Sequence, residues 1–164
     1  MIETVPHDAF EEFARARAPH LYRAAWLLSG QRAEAEDLVQ ETLAKVYVRM
    51  HRRLAPPLDN PAAYAQVTLT RTYISARRRR SSAEVPYGDL PDVVTSDTAD
   101  QAIARVDLEE ALAALSPTDR AVVVLRYLDD VAVDEVARTL RLSPGAVKNR
   151  SMRALARMRE RTTR

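Results

Sequence analysis

Cysteine is absent from the 164 residues, which removes disulfides, thiol catalysis and Cys-based zinc sites. Glycine occurs three times, too rarely for a turn-rich β-protein. Aromatic residues are 5% of the chain and Trp26 is its single tryptophan, so a core must be assembled from Leu, Val and Ala, the stock of packed helices. No apolar run nears the length of a membrane span. Met1 to Phe10 lacks the basic flank and apolar stretch of a secretory signal. The expectation is a cytoplasmic protein with no membrane partner. His7, His20 and His51 are too dispersed for a metal site, and no glycine-rich phosphate cradle occurs. With no catalytic constellation, the chain is expected to be no enzyme and to carry neither cofactor nor metal.

What is present is charge, sorted by position. The net charge of +2 hides an acidic stretch from Asp92 to Glu135 and basic ones at Arg77–Arg80 and Arg141–Arg164. Such segregation provides one face for a polyanion and another for a different partner. Lys45 and Lys148 are the only lysines. Arginine's planar fork suits phosphate and guanine, although a GC-rich genome accounts equally well for the overall bias.

Apolar residues at helical spacing mark the elements. Phe10, Phe13, Leu21, Ala24, Ala25 and Leu28 form one stripe, with Pro19 a kink or the start of a second helix and Ser29-Gly30 a stop. Arg32 to about Arg52 is a clear amphipathic helix with Leu38, Val39, Leu43, Val46, Tyr47 and Met50 on its apolar side. His51 to Asn60 reads as a loop around Pro56-Pro57. Asn60-Pro61 starts a third helix, which runs to about Arg79. Residues 81–98 turn polar and Pro-rich and read as a linker between a domain at 1–80 and one at 99–164. Beyond it, Ile103, Val106, Leu108, Ala111, Leu112 and Leu115 form one apolar face, and Ser116-Pro117 caps a helix over 121–128. The fold class is all-α: two small helical bundles joined by a flexible linker.

The C-terminal unit carries the most specific motif. A short helix (Val133 to Leu140), a tight turn and a basic helix (Ser143 to about Arg159) make a helix-turn-helix, whose second helix enters the major groove. Its first turns offer Ser143, Ala146, Lys148, Asn149, Arg150 and Arg153. Asn binds adenine, Arg and Lys bind guanine, and Ser143 with the free N–H groups of the helix start suits a phosphate. This motif by itself says only that the chain binds DNA. In the N-terminal unit, Asp37, Gln40 and Glu41 project from a helix whose other face is buried, where they can pair with arginines of a partner or serve as ordinary surface charge.

Together the segments resemble the extracytoplasmic-function group of RNA polymerase sigma factors over almost the whole chain. The residues that carry it are Asp37 to Glu41 (Asp-Leu-Val-Gln-Glu), the basic helix Tyr64 to Arg80, Leu115 to Arg120 (Leu-Ser-Pro-x-x-Arg) and Ser143 to Arg153. Leu27-Leu28-Ser29-Gly30 resembles a small subgroup of actinobacterial sigma-E-like factors. The resemblance implies that Asp37, Leu38, Gln40 and Glu41 bind the clamp helices of core RNA polymerase. It implies that Arg71, Arg77, Arg78, Arg79 and Arg80 lie along the −10 strand, and that the loop 51–60 helps hold a base turned out of the stack, a process costing a few kcal/mol. The −35 duplex falls to Ser143, Ala146, Lys148, Asn149, Arg150 and Arg153. Promoter DNA and core polymerase are the implied partners. Factors of this group are often held by an anti-sigma protein, and no residue here identifies one.

Two positions depart from the group. Arg71 and Ser75 stand where an Asn-x-x-x-Asp pattern is usual, which puts the −10 specificity in question. Arg141 replaces the glycine usual in the helix-turn-helix turn, and a left-handed non-glycine there costs roughly 1 kcal/mol. Charge adds a further expectation, a closed free chain in which the acidic segment Asp92 to Glu110 screens the basic helices. Two rival readings stay open: a regulator that binds DNA without polymerase, and an adaptor whose N-terminal bundle binds another helical protein. Neither needs the Asp37 to Glu41 helix.

Overall fold

The computed structural model describes residues 7–83 and 99–163. Most of the expected linker, 84–98, falls outside them. Every regular element among the described residues is helical.

Helix α1 (His7–Ser29) is continuous through Pro19, so of the two alternatives the start of a second helix is corrected. Proline forfeits one bond, to the carbonyl of Arg15. Phe10 and Phe13 before it and Leu21, Ala24, Ala25 and Leu28 after it pack into one cluster, which holds the two halves in line. Gly30 ends the helix at φ +70°, donating to the carbonyl of Trp26 at 2.7 Å. Helix α2 (Arg32–Met50) buries Leu38, Val39 and Val46. Helix α3 (Pro61–Ala83) starts as expected, with Asn60 Oδ1 accepting the Ala63 N–H at 3.0 Å, and its last turn takes in residues 81–83 of the expected linker. These three helices form the first bundle.

The second bundle contains α4 (Ala99–Ala113), α5 (Pro117–Val123), a π-helical turn (Val124–Leu128), α6 (Val133–Leu140) and α7 (Pro144–Thr162). Ser116 caps α5 by accepting the Asp119 N–H at 3.2 Å. Along α4 the expected apolar face is only half realised. Ala111, Leu112 and Leu115 are buried, but Ile103 is 61% exposed, and Val106 and Leu108 are exposed as well. The C-terminal part of α4 meets the cluster around Val123 and Ala154, and its N-terminal part runs beyond that cover.

The run Ala121-Val122-Val123-Val124-Leu125 is apolar all round because it is covered on three sides. Ala121 and Val124 join the core of the first bundle. Val122 and Leu125 pack with Val136, Ala137 and Val147, and Val123 packs with Leu112, Leu115 and Ala154. Each of the larger side chains contributes about 1.5–3 kcal/mol by burial. The two bundles therefore share a core.

Arg120 fastens the junction from within. Its buried guanidinium donates to the carbonyls of Leu112 (2.9 Å), Ala113 (3.1 Å) and Leu115 (3.2 Å) at the end of α4, and to Leu28 (2.6 Å) at the end of α1. Helix C-termini leave such carbonyls without partners, and one side chain satisfies those of both bundles. Replacing Arg120 with Leu is expected to lower the unfolding free energy by at least about 3 kcal/mol. Urea denaturation measures this, and an unchanged midpoint would contradict the role given to Arg120.

Candidate nucleic-acid interface

Helix α6, the turn and α7 form the expected helix-turn-helix. Arg141 occupies the left-handed region at φ 57°, ψ 46°, so the turn keeps its geometry and absorbs the strain of a Cβ. Ser143 caps α7, its Oγ accepting the Ala146 N–H at 3.1 Å, so one donor at this helix start is satisfied internally. Val147, Ser151 and Ala154 anchor the inner side of α7. Lys148, Asn149 and Arg153 are exposed on the other side, with Ala146 half-buried. Arg150 also faces the surface, but its guanidinium is engaged by Asp119 of α5 at 2.6 Å.

On α2, Asp37, Gln40 and Glu41 are exposed. Their i, i+3, i+4 spacing puts them on one face. Leu38, which the resemblance places among the polymerase-binding residues, is 4% exposed and belongs to the core, on the apolar stripe where its spacing puts it. Glu41 is paired with Lys45 at 2.9 Å, and Lys45 also donates to Thr72 at 3.0 Å, tying α2 to α3.

The arginines of α3 divide into two sets. Arg78 and Arg79 are exposed. Arg77 and Arg80 converge on the carboxylate of Glu34 at 3.2 and 3.0 Å. Arg77 also lies 5.4 Å from the ring centre of Tyr73 and donates to the carbonyl of Ser29 at 3.3 Å. Burial pushes the Tyr73 hydroxyl above its usual range, against the pull of Arg120 and Arg77. Arg71 reaches out of its bundle. Its Nε donates to the carbonyl of Thr139 at 3.2 Å, at the end of α6. In the loop 51–60, Leu54 is 99% exposed, beside His51 stacked on Tyr47 at 4.1 Å.

Of the acidic segment Asp92 to Glu110 expected to screen the basic helices, residues 92–98 lie outside the described residues. The described part of α4 sends Glu109 to Trp26 Nε1 at 2.7 Å and to Arg105 at 3.3 Å. Further groups that meet the first bundle come from the end of the π turn and of α6. Asp129, with a side chain 1% exposed, accepts from His20 at 2.7 Å. Desolvation raises its pKa above the ordinary carboxylate value, opposed by the His20 bond and charge, a Gln66 bond and the charge of Arg17.

Residues 13–83 match the family model of sigma-70 region 2, and residues 105–158 match that of sigma-70 region 4. The RNA polymerase sigma-E factor of Streptomyces coelicolor is 37% identical over 155 residues, covering 92% of this chain and 84% of that protein. The ECF RNA polymerase sigma factor SigL of Mycobacterium tuberculosis is 33% identical over 135 residues, covering 79% and 75%. The chain belongs to the extracytoplasmic-function group of sigma-70 factors. Its fold is that of the sigma factor RpoE from Bartonella quintana, solved in complex with the anti-sigma factor NepR: the TM-score is 0.74 at 24% identity, with 94% of this chain and 97% of that one covered.

Three residues of this sigma factor with structural work at these surfaces escape a reading for motifs. Glu34 could have been found, because it stands four residues before Leu38 on the buried stripe of α2. His20 and Asp129 have no such signal, being 109 residues apart.

Glycine in place of Arg141 is expected to relieve the left-handed strain and raise the unfolding free energy by about 0.5–1 kcal/mol. Thermal unfolding checks this, and a lowered midpoint would show that the Arg141 side chain contributes more than its backbone costs.

Proposed function

We propose that this sigma factor binds core RNA polymerase through the outer face of α2, reads the −35 element as duplex with α7, and holds the opened −10 strand with α3 and the loop 51–60. The observation that carries the reading is the face of α2. Asp37, Gln40 and Glu41 are exposed on a helix held in place by Leu38, Val39 and Val46, so the positions that carry them are fixed before any partner arrives. Pre-ordered carboxylates suit arginines on a partner helix through charge-assisted bonds. Neither a free-standing DNA regulator nor an adaptor for another protein requires that face.

For the −35 element, Lys148, Asn149 and Arg153 are the side chains whose exposure supports base or phosphate contact. Arg150, paired with Asp119, is better placed to brace the helix or to meet a phosphate beside it. Along the −10 strand, Arg78 and Arg79 are open to phosphates, whereas Arg77 and Arg80 hold α3 to α2 through Glu34. The protein supplies specificity and strand capture and leaves the chemistry of transcription to the polymerase. It acts in the cytoplasm, where that enzyme works.

Gel filtration with purified core polymerase tests the reading. The wild-type chain is expected to co-elute, and Asp37→Arg with Glu41→Arg to release it while circular dichroism stays unchanged. In transcription from a dependent promoter, Arg153→Ala is expected to cost about 1–3 kcal/mol of promoter affinity if a base contact is lost. Failure of the wild-type chain to co-elute would overturn the proposal.

A further inference from the structure

The last turns of α3 join cation and hydroxyl in one run, Arg77-Arg78-Arg79-Arg80-Ser81-Ser82. Both serines are exposed. The four guanidinium groups differ in what they meet. Glu34 holds Arg77 and Arg80, whereas among the described residues no acceptor engages Arg78 or Arg79. These two stand four and three residues before Ser82, so the helix puts all three side chains on one face within a single turn. For Ser81 the same positions are Arg77 and Arg78, and Arg77 is already taken.

The Ser82 side chain is directed at that face. Its Oγ donates to the carbonyl of Arg78 at 3.1 Å, so the hydroxyl lies back over the turn that carries the two exposed arginines. Its position in the chain adds to this. Ser82 is one residue from the end of α3, where opening a turn costs less than breaking the middle of a helix. Ser75 is exposed too, but bonded turns flank it on both sides. An enzyme that draws Ser82 into an acidic groove finds exposed arginines immediately upstream to pair with its carboxylates.

We infer that Ser82 is a phosphorylation site, and that its phosphate takes Arg78 and Arg79 away from DNA. The donor is a nucleoside triphosphate bound to a serine kinase. The bond from Ser82 Oγ to the γ-phosphorus forms, the bond from that phosphorus to its bridging oxygen breaks, the hydroxyl proton passes to a base of the kinase, and the nucleoside diphosphate leaves. The phosphate then accepts charge-assisted bonds from both guanidinium groups. The negative end of the helix dipole opposes it there, but an exposed helix-end charge effect is weaker than two such bonds. Its oxygens are the acceptors a DNA strand offers, so the modified chain competes with the strand from within. The consequence rests on the proposed −10 role of Arg78 and Arg79; the site itself rests on α3 alone. The outer face of α2 and the exposed side of α7 hold neither the serine nor its partners. The modified factor therefore stays on polymerase and loses its hold on the opened strand.

Two measurements on the full chain test this. Incubation with ATP and a purified arginine-directed serine kinase is expected to phosphorylate Ser82, located by peptide mass spectrometry, and Ser82→Ala to abolish the label. An unlabelled Ser82, or equal labelling of the other serines, overturns the site. For the consequence, phosphoserine is installed at position 82 during translation and the chain is assembled with core polymerase. Affinity for the non-template strand of a dependent promoter is expected to fall about tenfold at about 0.1 M salt, with a salt slope shallower by about 1.4, the value for two contacts on a single strand. Arg78→Ala with Arg79→Ala is expected to weaken the unmodified holoenzyme to a similar degree and to make it indifferent to the phosphate. Unchanged affinity and slope in the phosphorylated holoenzyme overturn the proposal. Gel filtration separates this from the sigma reading. The phosphorylated chain is expected to co-elute with core polymerase as the unmodified chain does. Loss of co-elution in the phosphorylated chain alone overturns the proposed action on DNA. If neither form co-elutes, the sigma reading falls, and the site stands or falls on the mass spectrum.

Discussion

Five apolar residues, Ala121 to Leu125, are needed by three clusters at once. The first bundle takes Ala121 and Val124, the helix-turn-helix takes Val122 and Leu125, and the α4–α7 pair takes Val123. Neither bundle can complete its core without this segment. Arg120, immediately before it, ties the open ends of α1 and α4 to the same point. The free chain is thereby one packed body, and the relation between its two functional surfaces follows from that packing.

Most of the fold was legible in the sequence. The 3.6-residue spacing of Leu38, Val39 and Val46, the Asn60-Pro61 start, the Gly30 stop and the order of α6, turn and α7 are local signals, and local signals survive folding. Pro19 was misleading because tertiary packing on both sides of it outweighs the one hydrogen bond it removes. Ile103, Val106 and Leu108 show the opposite failure: a helical stripe records what can be buried, not whether a neighbour reaches it. The candidate site was legible by type and less so by availability. Arg71, Arg77, Arg80 and Arg150 are all basic residues on the expected helices, yet each is engaged by an acceptor that sequence spacing does not reveal.

Those engagements separate the arginines by role. Arg77 and Arg80 meet a carboxylate 3% exposed, and removing such a partner leaves a buried charge uncompensated. They belong to the architecture of the first bundle. Arg71 and His20 meet acceptors of the other bundle. A sigma factor must present its two DNA-reading surfaces to two separate promoter elements. In the free chain Lys148, Asn149 and Arg153 of α7 and Arg78 and Arg79 of α3 are all exposed. The shared core fixes how the two bundles are placed in the free chain.

Small-angle scattering of the free chain at low salt tests this most directly. A single body of 164 residues has a radius of gyration of about 15 Å, somewhat more with the segment between the bundles included, and the shared core requires a value near it. A value upwards of about 20 Å, expected of two bundles moving independently on a tether, would contradict the shared core and everything built on it.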